Sequence, residues 1–382
     1  MNFALSDEQV FLKEAARGAL ARVKTVEAAR AALDGAELPD LWPAAVEAGW
    51  PGLLVSEANG GAGLSVLEAM LVFEELGRVL ASVPLLGHLP AAYLLDRGGP
   101  AELAAALAGG EERAAFVAAR PPTDLGDGCT VDPALGTTRT AAPAFARGRL
   151  SGTVPWVPDA PGAGHFVVVL DDGRAAHVRA TDVTVRPATV YDVTRSLGHV
   201  TFDAAPATLL ALADGDTAAA WYVAQSLLGA EAVGAVDVAL SLSVAYAKER
   251  HTFGRAIGSY QAVKHELVEM LRGLDNSRSL MYYAGWAAQD KPEEFPLAAS
   301  AFRLAAGKAL DHAARAQISV HGGIGATWEH DAPLYFRRAQ LARRLLGGTA
   351  GAADRVAGEL LSAARRGEAG AERSQKRDAA VA

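Results

Sequence analysis

The chain has a single cysteine, Cys129, in 382 residues. An internal disulfide is therefore excluded, and such usage fits a reducing compartment. Positive charge is also short: 36 Lys and Arg stand against 44 Asp and Glu, a net charge of −8. That excess of acid argues against a nucleic-acid surface as the main business of the protein. The opening stretch, MNFALSDEQVFLKEAARGAL, lacks a basic start followed by an apolar run, so it does not read as a signal peptide. No apolar stretch reads as long enough to span a membrane without turn residues. A cytoplasmic protein with no nucleic-acid and no membrane partner is the expectation. Also missing are G-x-S-x-G, H-E-x-x-H and the P-loop. The early glycines Gly60, Gly61 and Gly63 follow no convincing strand and open no βαβ unit, which excludes a Rossmann reading. His321 and His330 stand too far apart, with no Cys or carboxylate at ligand spacing, to argue a metal.

What is present is a globular composition, 51% hydrophobic and 21% charged. Three zones differ in texture. Residues 1–115 read as an N-terminal α-helical domain: Ser6 and Glu8 mark a helix start, and SVLEAMLVFEELGRV is clearly amphipathic. Residues 116–212 carry short β-branched runs split by turn pairs such as Asp172-Gly173, which predicts a middle domain of antiparallel hairpins. Residues 213–366 are helical again, with helices expected over 217–249, 260–288, 296–320, 331–346 and 350–366. The spacing puts Val263, Leu267, Met270, Leu271, Leu274 and Met281 on one stripe of the second of these. Residues 367–382 are polar and aperiodic, a disordered tail. The plan is α+β with segregated parts, ending in a four-helix bundle.

Two stretches have the chemistry to hold an anion. In YAKERHTFGRAIGSYQ a helix ends at Arg250, a turn carries Phe253 and Gly254, and Gln261 opens the next helix. A guanidinium beside a glycine can grip phosphate, because it offers paired donors where the backbone can be approached. Spacing alone favours an ordinary interhelical turn. In VHGGIGATWEHD the glycines 322, 323 and 325 make an open loop whose N–H groups could accept a pyrophosphate, or simply cap a helix.

Taken in order, after EAGWPGLLVSEANGGAGLSVLEAMLVFEELGR and a β-zone, these two stretches resemble signatures of the acyl-CoA dehydrogenase family. The resemblance runs over roughly residues 3 to 365. It implies a flavoprotein that binds FAD and an acyl-CoA thioester. A glutamate takes the pro-R α-proton, the β-hydrogen leaves as hydride to flavin N5, and an electron-transfer flavoprotein collects the electrons. It further implies that FAD lies across a subunit interface. One chain holds the isoalloxazine and its neighbour grips the diphosphate and adenosine. On that basis Arg250, Thr252, Phe253, Gly254, Gln261, Gly322 and Gly323 match the neighbour's grip. Ser319 stands where the family usually has Gln, and Gln317 lies two residues earlier. Trp156 resembles the flavin-side tryptophan, but Pro158 replaces the Thr that commonly bonds the flavin, and proline has no donor. FVAARPPTDLGDG, residues 116–128, replaces the family's Thr-Glu-Pro and Gly-Ser run.

The catalytic base position falls on Leu346, or on Gly347 with one gap, and the family's alternative position on Ala224, with Gln225 in place of the neighbouring Arg. None is a carboxylate. The expectation is the non-catalytic or half-site subunit of a heteromer, such as a heterotetramer, for a bulky acyl-CoA. The second subunit would carry the glutamate. Two alternatives stay open. One is an active enzyme with an unusual base, for which Glu231, two turns after Ala224, is the candidate. The other is a flavin-free structural or binding paralogue.

Overall fold

The computed structural model describes residues 4–118 and 142–361. Cys129, residues 119–128 of the replaced flavin run, and the tail 367–382 lie outside the described residues. Serine caps open the front as their spacing predicts. Ser6 accepts from the Gln9 N–H while Gln9 accepts from the Ser6 N–H, starting α1 (Asp7–Ala21). Ser65 and Glu68 make the same reciprocal box at α4 (Val66–Arg78). Between them lie α2 (Thr25–Ala32) and α3 (Trp42–Glu47), and after them α5 (Leu85–Gly98) and α6 (Ala101–Ala108).

Among the described residues, two four-stranded sheets follow. β1 (Ala114–Val117), β4 (His165–Val169), β5 (Ala175–Arg179) and β8 (Thr208–Leu209) form one, in the order β1-β4-β5-β8. β2 (Ala144–Ala146), β3 (Arg149–Pro158), β7 (Leu197–Pro206) and β6 (Thr184–Pro187) form the other, in the order β2-β3-β7-β6. One pairing departs from the expected antiparallel hairpins: β1 runs parallel to β4, Ala114 opposite His165. A parallel pair needs a long connection, and the chain makes it by passing through the other sheet between the two strands.

The helical third begins with α7 (Asp216–Glu249), followed by a small hairpin of β9 (His251–Thr252) and β10 (Arg255–Ala256), then α8 (Gln261–Asp290), α9 (Phe295–His321) and α10 (Ala332–Ala342). The last predicted helix before the glycine joint ends at Ala342 rather than 346, and residues 348–361 are helical beyond a turn. On α8, Met270, Leu274 and Met281 are buried as the stripe predicts, but Leu271 is exposed beside Val268.

α7 contradicts one expectation, since by length and composition it could cross a membrane. Its apolar window is 72% buried inside the fold, packed between α4, α5, α8 and α9. That is how a core helix, apolar on all sides, satisfies its side chains. α4 and α7 approach backbone to backbone. A Cβ on Gly77 would sit 2.0 Å from the Glu231 carbonyl oxygen, and one on Gly234 1.8 Å from that of Glu74.

This contact yields a prediction. In an ordinary helix Gly→Ala gains about 1 kcal/mol of propensity. Gly234→Ala should instead lower the melting temperature, because overpacking against backbone costs about 1–3 kcal/mol or more. An unchanged or higher melting temperature would show that the helices can separate freely.

Candidate functional site

The residues that the family resemblance assigns to a diphosphate grip are exposed. α7 ends where the Arg250 N–H donates to the Tyr246 carbonyl, 2.8 Å, and the chain turns through Phe253 (φ +51°) and Gly254 (φ +79°). Two successive positive φ values make the tight turn that fits a hairpin's twist. The Phe253 side chain at its tip is 94% exposed. The Tyr260 hydroxyl donates to the Thr252 carbonyl, 3.1 Å, and the Arg255 guanidinium lies 4.6 Å above the Tyr260 ring, so the hairpin is braced. Gln261 is the first residue of α8.

On the neighbouring corner, α9 stops at Gly322, whose φ of +63° suits glycine, and both Gly322 and Gly323 face open space where a Cβ would stand. Arg250, Thr252, Gly254, Gln261, Ser319, Gly322 and Gly323 are all exposed. Gln317, by contrast, is fully buried with both amide atoms unpartnered. Free guanidinium donors beside backbone that can be approached closely fit an anionic diphosphate.

The structure also brings together two rings that looked too far apart in sequence. The His321 and His330 centroids are 4.1 Å apart, and the Tyr246 ring stacks on His321 at 4.5 Å. Among the described residues no three His, Cys, Asp or Glu side chains gather at metal-ligand geometry.

The base position is different in kind. Leu346, Gly347 and Gly348 keep a left-handed backbone, φ +48°, +79° and +66°. The Leu346 carbonyl accepts from Gln225 Nε2 at 2.6 Å, and Ala224 is fully buried. The cavity bounded by Trp221, Tyr222, Gln225, Ser300 and Leu346 holds about 10 Å³, at the lower limit for one water molecule. Glu231 is no substitute base. It is buried, and its two oxygens are taken by Arg195 and Arg338. Arg338 also donates to Asp192, 2.8 Å, and to Thr194. Sequence reasoning missed this cluster, although a carboxylate in so apolar a helix signals that partners must come from elsewhere.

Trp156 is 44% exposed, in a left-handed conformation (φ +59°) and edge-on to His199, with centroids 4.9 Å apart. Three residues on, Asp159 is buried and accepts the Gly87 N–H at 2.8 Å. Burial pushes its carboxyl up to about 6, only partly opposed by the Gly87 hydrogen bond and by Arg195.

With this geometry in view, two family models match: the N-terminal domain of acyl-CoA dehydrogenases over residues 6–107 and the C-terminal domain over residues 222–366. The chain belongs to the acyl-CoA dehydrogenase family. It is 31% identical over 349 residues to the acyl-CoA dehydrogenase IpdE2 of Mycolicibacterium smegmatis, covering 90% of this chain and 96% of that one. Among solved structures, a Tcur3481–Tcur3483 steroid acyl-CoA dehydrogenase superposes with a TM-score of 0.81 at 27% identity, covering 94% of this chain and 99% of that one. The ChsE4–ChsE5 complex from Mycobacterium tuberculosis superposes with a TM-score of 0.80 at 25% identity, again over 94% and 99%.

Asp159 gives a pH prediction. Its folded pKa lies above the 3.8 of an ordinary Asp, so the native state holds a proton that the unfolded chain releases. This group's contribution is therefore fullest below about pH 4 and is lost as pH rises through about 6, a change of about 3 kcal/mol. Asp159→Asn keeps an acceptor for Gly87 and tolerates the left-handed backbone. Urea unfolding at pH 5 and pH 7.5 should show a smaller loss between the two for the variant than for the parent. Equal losses would mean that Asp159 is ionised without penalty.

Proposed function

We propose that this chain is the non-catalytic subunit of a heteromeric acyl-CoA dehydrogenase. It grips the diphosphate and adenosine of an FAD whose isoalloxazine, together with the catalytic glutamate, belongs to a partner subunit. The observation that carries the reading is the contrast between the two halves. The grip residues are exposed, whereas none of Leu346, Gly347 and Ala224, where the base would stand, is a carboxylate. In such an enzyme the partner's glutamate removes the α-proton of the thioester, and bound FAD supplies the hydride acceptor. The work of this chain is binding and orientation. Arg250 offers its guanidinium fork to phosphate, and the Gly322–Gly323 backbone lets the diphosphate come close. Phe253, standing free on its hairpin, would be covered by the partner. Similarity to a steroid acyl-CoA dehydrogenase and to the ChsE4–ChsE5 complex supports a steroid-like, bulky acyl-CoA as substrate, and an electron-transfer flavoprotein would take the electrons.

The isolated chain, mixed with FAD and any acyl-CoA, should not reduce an artificial electron acceptor measurably. Loss of a positioned base alone costs about 10²–10⁴-fold. Leu346→Glu should not restore turnover, because Pro158 and the replaced run at 116–128 leave the flavin side without its usual donors. Ordinary turnover by that variant alone would mean that the chain has a complete flavin and substrate site, and the half-site reading would fall.

A second test reads the grip. In the co-purified complex, Arg250→Ala should weaken FAD binding about 10- to 150-fold, the value of a charge-assisted bond at ~1.5–3 kcal/mol. Arg250→Lys should recover only part of it, since an ammonium lacks the paired fork. Undiminished flavin affinity in the alanine variant would place Arg250 outside the site.

A further inference from the structure

The two grip motifs come from different helices and must be held at a fixed spacing to meet one diphosphate. Arg250 hangs from the end of α7, the glycine loop from the end of α9. The aromatic ladder lies between them. Tyr246, whose carbonyl accepts the Arg250 N–H, stacks on His321 with ring planes 29° apart, and His321 immediately precedes Gly322. His321 also meets the His330 ring at the far end of the loop, tilted by 47° with centroids 4.1 Å apart. The His330 Nδ1 accepts the Ala332 N–H, 3.0 Å, at the start of α10.

We propose that His321 is the positioning residue of the diphosphate grip, setting the distance between the Arg250 turn and the Gly322–Gly323 loop. Its own orientation is fixed. The Nδ1–H donates to the Gln317 carbonyl, 2.7 Å, because a carbonyl can only accept, and the ring is buried. A buried planar ring held by one hydrogen bond, stacked on Tyr246 and in tilted contact with His330, cannot shift without moving Tyr246 and the loop together. His321 touches no ligand in this account. It acts through the two motifs it separates, and the inference rests on the reading that those motifs hold FAD.

The test uses the complex of this chain with its co-expressed partner. FAD affinity is read by flavin fluorescence, assembly by size-exclusion chromatography, and stability by the unfolding midpoint. An aromatic pair is worth about 0.5–1.5 kcal/mol, so His321→Leu should weaken FAD up to about tenfold while the complex still assembles. His321→Phe keeps the ring and should restore affinity to within about threefold. Should His321→Leu fail to assemble, Tyr246→Leu and Tyr246→Phe address the ladder from its half-buried side, with the same loss and the same rescue expected. Arg250→Ala is measured in parallel. If Arg250→Ala loses FAD while the leucine variants of the ladder keep it, the positioning role is wrong and the grip reading stands. If the phenylalanine variants lose as much as the leucine ones, ring stacking is not what sets the spacing. If Arg250→Ala also keeps FAD, the grip reading itself fails.

Discussion

One carboxylate in the buried middle of the long helix α7 organises the junction of the molecule. Glu231 sits on α7, among residues that are almost all apolar and buried. An isolated charge there would cost several kcal/mol. Arg195, from the loop before β7, and Arg338, from α10, both reach it, and Arg338 continues to Asp192 and Thr194. The compensation that the buried charge demands thus ties a loop of the β-region to two helices of the bundle. Arg303, also buried, donates to the Ala342 carbonyl just ahead of the glycine joint, so the cationic layer continues toward the loop at 346–349. Burial pulls the Arg303 guanidinium down to about 10, which still leaves it charged at neutral pH.

The same requirement bears on function. A general base needs an oxygen free to take a proton. Both oxygens of Glu231 are held by guanidinium groups, and the nearby joint at Leu346–Gly348 keeps its left-handed backbone without a carboxylate. At the other end of α7 the helix emerges from the core and delivers Arg250 to the surface. One helix therefore joins a buried interior, where Glu231 is tied to two arginines, to an exposed end that carries Arg250.

Local signals in the sequence were sufficient for most of this. Ser6 and the amphipathic pattern after Ser65 are local signals that located α1 and α4, and both serines cap their helices through bonds to residues two or three positions on. The Arg250 turn and the glycine loop are likewise short, contiguous patterns. What escaped depends on partners distant in the chain. β1 pairs with β4 across a connection that no local pattern encodes. The partners of Glu231 come from residues 195 and 338, and the contact of His321 with Tyr246 joins the ends of two helices. His321 and His330 were dismissed as too far apart because a loop of several glycines gives no indication that it folds back on itself. The length of α7 was legible, 217–249 against Asp216–Glu249, but not that it is apolar enough by composition to cross a membrane.

The central claim is that this chain contributes half of a flavin site and its partner the other half. The most direct measurement is the amount of FAD per chain in the purified complex, from flavin absorbance after denaturation and protein mass from amino-acid analysis. The account predicts one FAD for each pair of unlike chains. One FAD for every chain would contradict it, since the Leu346 side of this protein would then have to hold an isoalloxazine of its own.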